Sequence, residues 1–204
     1  MQENNTVKKN RTIVSTLFDG SLKSDIFIML VLCFAGVFCK KLINPFANTV
    51  TDSLHVPGGI STAVALMFLV VASGITGRKW CASAMGLAQV VMALALGSMG
   101  SMGLLMPLAY LIPGVVIDLV MLVPENRIIS LMGKSFIANI ASSVSAALFA
   151  DIVVFHLPVK PLVVYLCLAT VSGAICGFIA GAASTAVNKK KSENDEEEED
   201  GTDE

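Results

Sequence analysis

Six apolar runs, separated by short polar or basic breaks, set out the chain. The first extends from about Asp25 to Ile43. The second opens at Pro57-Gly58-Gly59 and reaches about Ile75. The third follows Gly77-Arg78-Lys79 and ends near Leu96. The fourth spans Gly103 to Val123, the fifth about Ile128 to Leu157, and the sixth follows Pro158-Val159-Lys160-Pro161 to Val187. Crossing about 30 Å of hydrocarbon takes roughly 20 helical residues. Backbone in lipid must satisfy its own hydrogen bonds, so each run is expected to be an α-helix. The stretch Lys79 to Val123 is read as the organising hairpin, with its turn at Gly97 to Gly103 and the other helices packed around it. Asp25 suits a helix start, where a carboxylate meets the dipole, and Pro57 costs nothing in a first turn. Pro107 and Pro113 are expected to kink the fourth helix. Gly173, Gly177 and Gly181 repeat every four residues on the sixth, a small-residue face that lets helices approach closely.

The expected fold is therefore all-α: an integral membrane bundle of six transmembrane helices over residues 25–187. A polar leader, residues 1–24, precedes it, and an acidic tail, residues 188–204, follows. Composition agrees, with 54% hydrophobic and 15% charged residues and a mean hydropathy of +0.74, against roughly 25% charged for soluble domains. The net charge of -2 conceals a basic body, because the tail from Glu193 onward is strongly acidic. Poor in aromatic and β-branched residues, that tail is expected to stay disordered. No signal-peptide cleavage site follows the first run.

Basic residues set the orientation. Lys8, Lys9, Arg11, Lys23, Arg78, Lys79, Arg127 and Lys189 to Lys191 fall on one side, against Lys40, Lys41 and Lys160 on the other. Both termini are thus expected in the cytoplasm of a multi-pass cell-membrane protein. Lys134 is close enough to the same side to snorkel. The basic residues form no single stripe, so nucleic acid is not an expected partner.

Candidate chemistry is sparse. Asp151, near the outer end of the fifth helix, is the leading substrate-binding candidate, because ionisable groups in membranes are costly and usually functional. Asn139 and Ser143, one turn apart on that helix, either line a pocket or hydrogen-bond neighbouring helices. Gln89 on the third helix has the same two readings. Tyr110 either stacks on a substrate ring or sits at an interface. His55 in the first outer loop and His156 beyond Asp151 complete the set of expected binding residues. Asp118 is expected to pair with Arg127 or Arg78. Trp80 reads as an interfacial anchor, and the five cysteines as small packing residues. No cofactor, metal site or ATP-hydrolysing loop is expected, and the chain is not read as an enzyme.

A further set of positions carries a family resemblance. These are Gly77-Arg78-Lys79, Ala93-Leu94 with Leu96-Gly97, Gly114 with Asp118, Ser142-Ser143 with Asp151, and Ser172-Gly173-Ala174 with Gly181. In order and spacing they resemble the substrate-binding S components of energy-coupling factor (ECF) vitamin transporters, of the thiamine or hydroxymethylpyrimidine type, from Gly77 to Lys191. The resemblance implies a vitamin-like substrate held near the outer face, between helices 4 to 6 and the first outer loop. It implies a transmembrane T component and two ATPase subunits as partners, with a docking face on helix 1 that is partly matched at Ala35, Gly36 and Cys39. The alternatives are a stand-alone secondary transporter using Asp118 and Asp151, or a membrane scaffold whose tail binds a basic partner.

Overall fold

A computed structural model describes residues 20–53, 60–95, 105–124 and 130–200. Those residues form six helices: α1 (Gly20–Ser53), α2 (Ile60–Thr76), α3 (Cys81–Ala95), α4 (Met106–Met121), α5 (Leu131–Ala150) and α6 (Val159–Asp200). Three of them contain segments long and apolar enough to cross a membrane: Lys23–Ala47, Leu131–Phe155 and Val159–Glu193. The other three are apolar but shorter. The 17 residues of α2 span about 25 Å at 1.5 Å per residue. A helical membrane protein fits these lengths and compositions.

Several boundaries depart from the sequence expectation. α1 does not stop at Ile43; it continues through Pro45 to Ser53. A proline forfeits one main-chain donor, and the turn around it still closes, with Thr49 Oγ1 donating to the Pro45 carbonyl at 3.0 Å. Pro107 falls in the first turn of α4, where the missing N–H is unneeded, so it starts the helix instead of kinking it. α5 begins at Leu131, after Ser130 in extended backbone, whose hydroxyl accepts from Gly133 N–H. α6 runs past Val187 to Asp200, where composition had led us to expect disorder. Lys189 pairs with Glu193 one turn on.

The hub also differs. α2, not the α3–α4 hairpin, packs against all five other helices. Its sequence explains this: Ser61, Ala63, Ala65, Ala72, Ser73 and Gly74 are buried, and small side chains let several neighbours come close at once. Leu66, Leu69 and Val70 of α2 join Cys33, Met85 and Ile117 in the main core. The α5–α6 seam is tighter still. A Cβ added at Gly177 would lie 2.9 Å from Phe136 Cα and 3.0 Å from Asn139 Cβ. Outside the bundle, Phe27, Phe34, Phe38 and Phe46 of α1 are exposed, as apolar side chains facing lipid would be.

Candidate functional site

The end of the bundle that carries residues 77–80 and 122–124 also holds Lys23, Arg78, Lys79, Lys134 and Lys189 to Lys191; we call it the basic end. Its polar groups are joined between helices. α3 starts after Trp80, whose φ is 64° and whose side chain offers no capping oxygen. The cap comes instead from α4. Asp118 accepts from Ala82 N–H at 3.0 Å, from Ser83 N–H at 2.8 Å and from Ser83 Oγ at 2.5 Å. The expected pairing of Asp118 with Arg78 is not what the described residues show. Arg78 pairs with Asp25 of α1, and Arg127 lies outside the described residues. The last turn of α2 is closed from α6, by Asn188 Nδ2 to the Gly74 carbonyl at 3.0 Å and by Ser184 Oγ to the Val71 carbonyl at 3.5 Å.

A cavity of about 520 Å³ opens among these groups, lined by Ser73, Arg78, Lys79, Asp118, Lys134 and Asn188, with an apolar side formed by Met121, Leu122, Val123 and Leu131. Lys134 is buried. The size is within the range of small-molecule sites, roughly 300–1,000 Å³.

The polar stripe expected on α5 is real as an arrangement. Ser135, Asn139, Ser142 and Ser143 are all buried. Asn139 Nδ2 donates to the Gly173 carbonyl of α6 at 2.9 Å, which is helix-to-helix bonding; its Oδ1 has no partner. Hydroxyls in apolar helices usually turn back to a carbonyl of the preceding turn. Thr76, Ser142, Ser145, Thr170 and Ser172 all do so. Ser135 and Ser143 do not, and neither Oγ has a partner.

Gln89 is buried apart from this stripe. A Cβ at Gly36 of α1 would lie 3.4 Å from Gln89 Nε2 and 3.3 Å from Phe68 Cβ of α2. Gln89 Nε2 also lacks a hydrogen-bond partner. Gly36 therefore faces into the bundle and not toward a docking partner. Ala35 and Cys39 are half-buried.

At the far end, Asp151 starts a single π-helical turn, Asp151–Phe155, that follows α5. Its Oδ1 accepts from Leu157 N–H at 2.8 Å and its carbonyl from His156 N–H at 2.8 Å. Asp151 thus closes the α5–α6 turn. His156 is exposed in left-handed backbone, φ 46°. Tyr110 has a partner the sequence did not signal: Lys40 Nζ donates to its hydroxyl at 3.4 Å and sits 4.9 Å from the ring centroid. His55 lies outside the described residues. Asp151 thus lies at the far end of α5, while Gln89 and Tyr110 are on α3 and α4, which meet where a Cβ at Gly86 would lie 2.8 Å from the Tyr110 carbonyl oxygen.

Among the described residues, no three His, Cys, Asp or Glu side chains lie close enough to share a metal ion. Compared with family models, with curated proteins and with solved structures, the chain matches none.

Proposed function

We propose that this chain is the solute-binding subunit of a membrane importer, of the S-component kind used by ECF transporters, with a vitamin or vitamin precursor as its substrate. On this reading it is a multi-pass cell-membrane protein that crosses the bilayer six times, with both termini in the cytoplasm. It captures the solute, and separate polypeptides, a T component and two ATPase subunits, supply the energy. Uphill movement then depends on those partners changing the affinity of the site between outward and inward states.

The observation that supports this reading is the set of buried polar atoms left without partners: Ser135 Oγ, Asn139 Oδ1 and Ser143 Oγ along α5. Each orphaned buried group costs about 1–3 kcal/mol. A polar solute entering between α5 and its neighbours removes that cost. Asp118 and Asp151 both accept backbone N–H groups, so neither is a free carboxylate poised to relay protons, and the stand-alone transporter is the weaker reading.

The test is a thermal-shift screen of the purified protein against water-soluble vitamins, including thiamine and hydroxymethylpyrimidine, together with mild solubilisation to recover partners. The proposal expects stabilisation by one ligand class and co-purification of ATPase subunits. Solute uptake that survives ATP depletion and collapses with the proton gradient would contradict it.

A further inference from the structure

The geometry points to a second binding site, for a small molecule that carries a carboxylate, between α1, α3 and α4 in the half of the bundle away from the basic end. Lys40, Tyr110 and Gln89 form it. It uses none of the α5 stripe, so it stands or falls apart from the solute reading. Three observations meet there.

First, side chains from three helices come to one level of the bundle. Lys40 Nζ of α1 donates to the Tyr110 hydroxyl of α4 at 3.4 Å and lies 4.9 Å from its ring centroid. Gly36, one turn before Lys40, faces Gln89 of α3: a Cβ added there would lie 3.4 Å from Gln89 Nε2. Gly86, one turn before Gln89, meets the Tyr110 main chain in the same way, at 2.8 Å from the carbonyl oxygen. Successive turns are about 5.4 Å apart, so ammonium, phenol and amide lie within about a turn of one another. Secondly, all three groups have donors to give. Gln89 is 2% exposed and its Nε2 has no hydrogen-bond partner, which is costly for a buried amide. The Tyr110 oxygen accepts from Lys40 and so keeps its own proton to donate. The Lys40 ammonium has further donors beyond the one that Tyr110 takes.

Thirdly, among the described residues no carboxylate pairs with Lys40. Lys40 is half-buried in a segment apolar enough to cross a membrane, where a charge is costly. Asp25 lies toward the other end of α1 and holds Arg78. Asp52 is further along α1, about 18 Å on at 1.5 Å per residue. Asp118 is about 12 Å down α4 from Tyr110 and receives three donors from the start of α3. Asp151 closes the α5–α6 turn, whereas α1 packs chiefly against α2 and α3. Residues 54–59 and 96–104 contain no Asp or Glu. The Tyr110 ring and oxygen orient the ammonium without cancelling its charge. Donors gathered around one cation are completed by a singly charged oxyanion. A carboxylate has one oxygen for Lys40 and a second for the Gln89 amide or the Tyr110 hydroxyl. Phe68, whose Cβ would lie 3.3 Å from a Cβ at Gly36, and Met92, against Cys33 one turn before Gly36, offer apolar surface to the rest of the molecule.

The experiment uses the full-length protein in a neutral detergent, with ionic strength held constant by chloride. Acetate, benzoate and hexanoate are each titrated beside the matching amide, which keeps the shape and loses the charge. At least one carboxylate should raise Tm saturably and give a calorimetric isotherm, and its amide should do neither. Lys40→Gln should weaken that binding at least tenfold, while Lys40→Arg retains most of it. Tyr110→Phe keeps the ring under Lys40 and removes the hydroxyl, so a fall of about tenfold is expected, the factor for one charge-assisted hydrogen bond. Gln89→Met guards against a folding defect. It should leave the unliganded Tm unchanged or higher, since an orphaned donor is removed, and still weaken binding about tenfold. No carboxylate that outdoes its amide, or an equal response in Lys40→Gln or in Gln89→Met, overturns the inference. So does stabilisation by phosphatidylglycerol discs alone that Lys40→Gln removes, because Lys40 then serves a lipid headgroup.

Discussion

The basic end and the middle of α5 hold comparable polar groups and treat them in opposite ways. At the basic end, side chains from one helix complete the main chain of another: Asp118 of α4 caps α3, Asn188 and Ser184 of α6 close α2, and Asp25 of α1 holds Arg78. Along α5, three buried polar atoms are left open, although the neighbouring Ser142 and Ser145 find ordinary carbonyl partners. The contrast separates two uses of polarity in an apolar bundle. A group that completes another helix is architecture. On the proposed reading, a buried group left without a partner is available to a bound solute.

This contrast can be broken by substitution. The largest effect is expected at Asp118. Asp118→Ala leaves two N–H donors and a hydroxyl unpaired at the start of α3 and should cost about 3 kcal/mol, as measured by reversible unfolding in mixed micelles. If it costs under 1 kcal/mol, the trans cap is not structural. Gly177→Ala comes next. The added methyl meets the Phe136 backbone, which has little freedom to give way, so the same assay should show a loss of about 1–2 kcal/mol net of the helix propensity gained. Arg78→Gln removes a partly exposed pair and should cost about 0.5 kcal/mol, falling further at high salt. Ser143→Ala is smallest for stability, near zero or slightly stabilising without ligand, because an orphan is removed. Its effect should appear instead in ligand binding, and a clear loss of stability would move Ser143 into the architectural class.

The six helices among the described residues and the apolar core of each run were legible, because period and length in an apolar run leave little choice. What lay between helices was harder to read. The role of Asp118 depends on where α3 sits, yet one signal was present: no Ser, Thr, Asp or Asn precedes Cys81, so the cap had to come from elsewhere. The central position of α2 was also indicated by its run of Ala, Ser and Gly, which the longer hairpin overshadowed. Asp25 with Arg78 and Lys40 with Tyr110 span 53 and 70 residues, and no local pattern reveals such distant pairs. Asn139 illustrates the limit. The sequence offered pocket or helix bonding, and in the bundle one end of its amide bonds Gly173 while the other end is open.

Mass spectrometry of small molecules released from the purified full-length protein, alongside a Ser135→Ala/Ser143→Ala double variant, addresses the central claim most directly. Wild-type protein should release one polar small molecule in near-stoichiometric amount, and the double variant should release much less while unfolding at the same or a higher temperature. A wild-type protein that carries nothing, or a variant that retains the same molecule in full, would contradict the assignment of these open polar atoms to a solute.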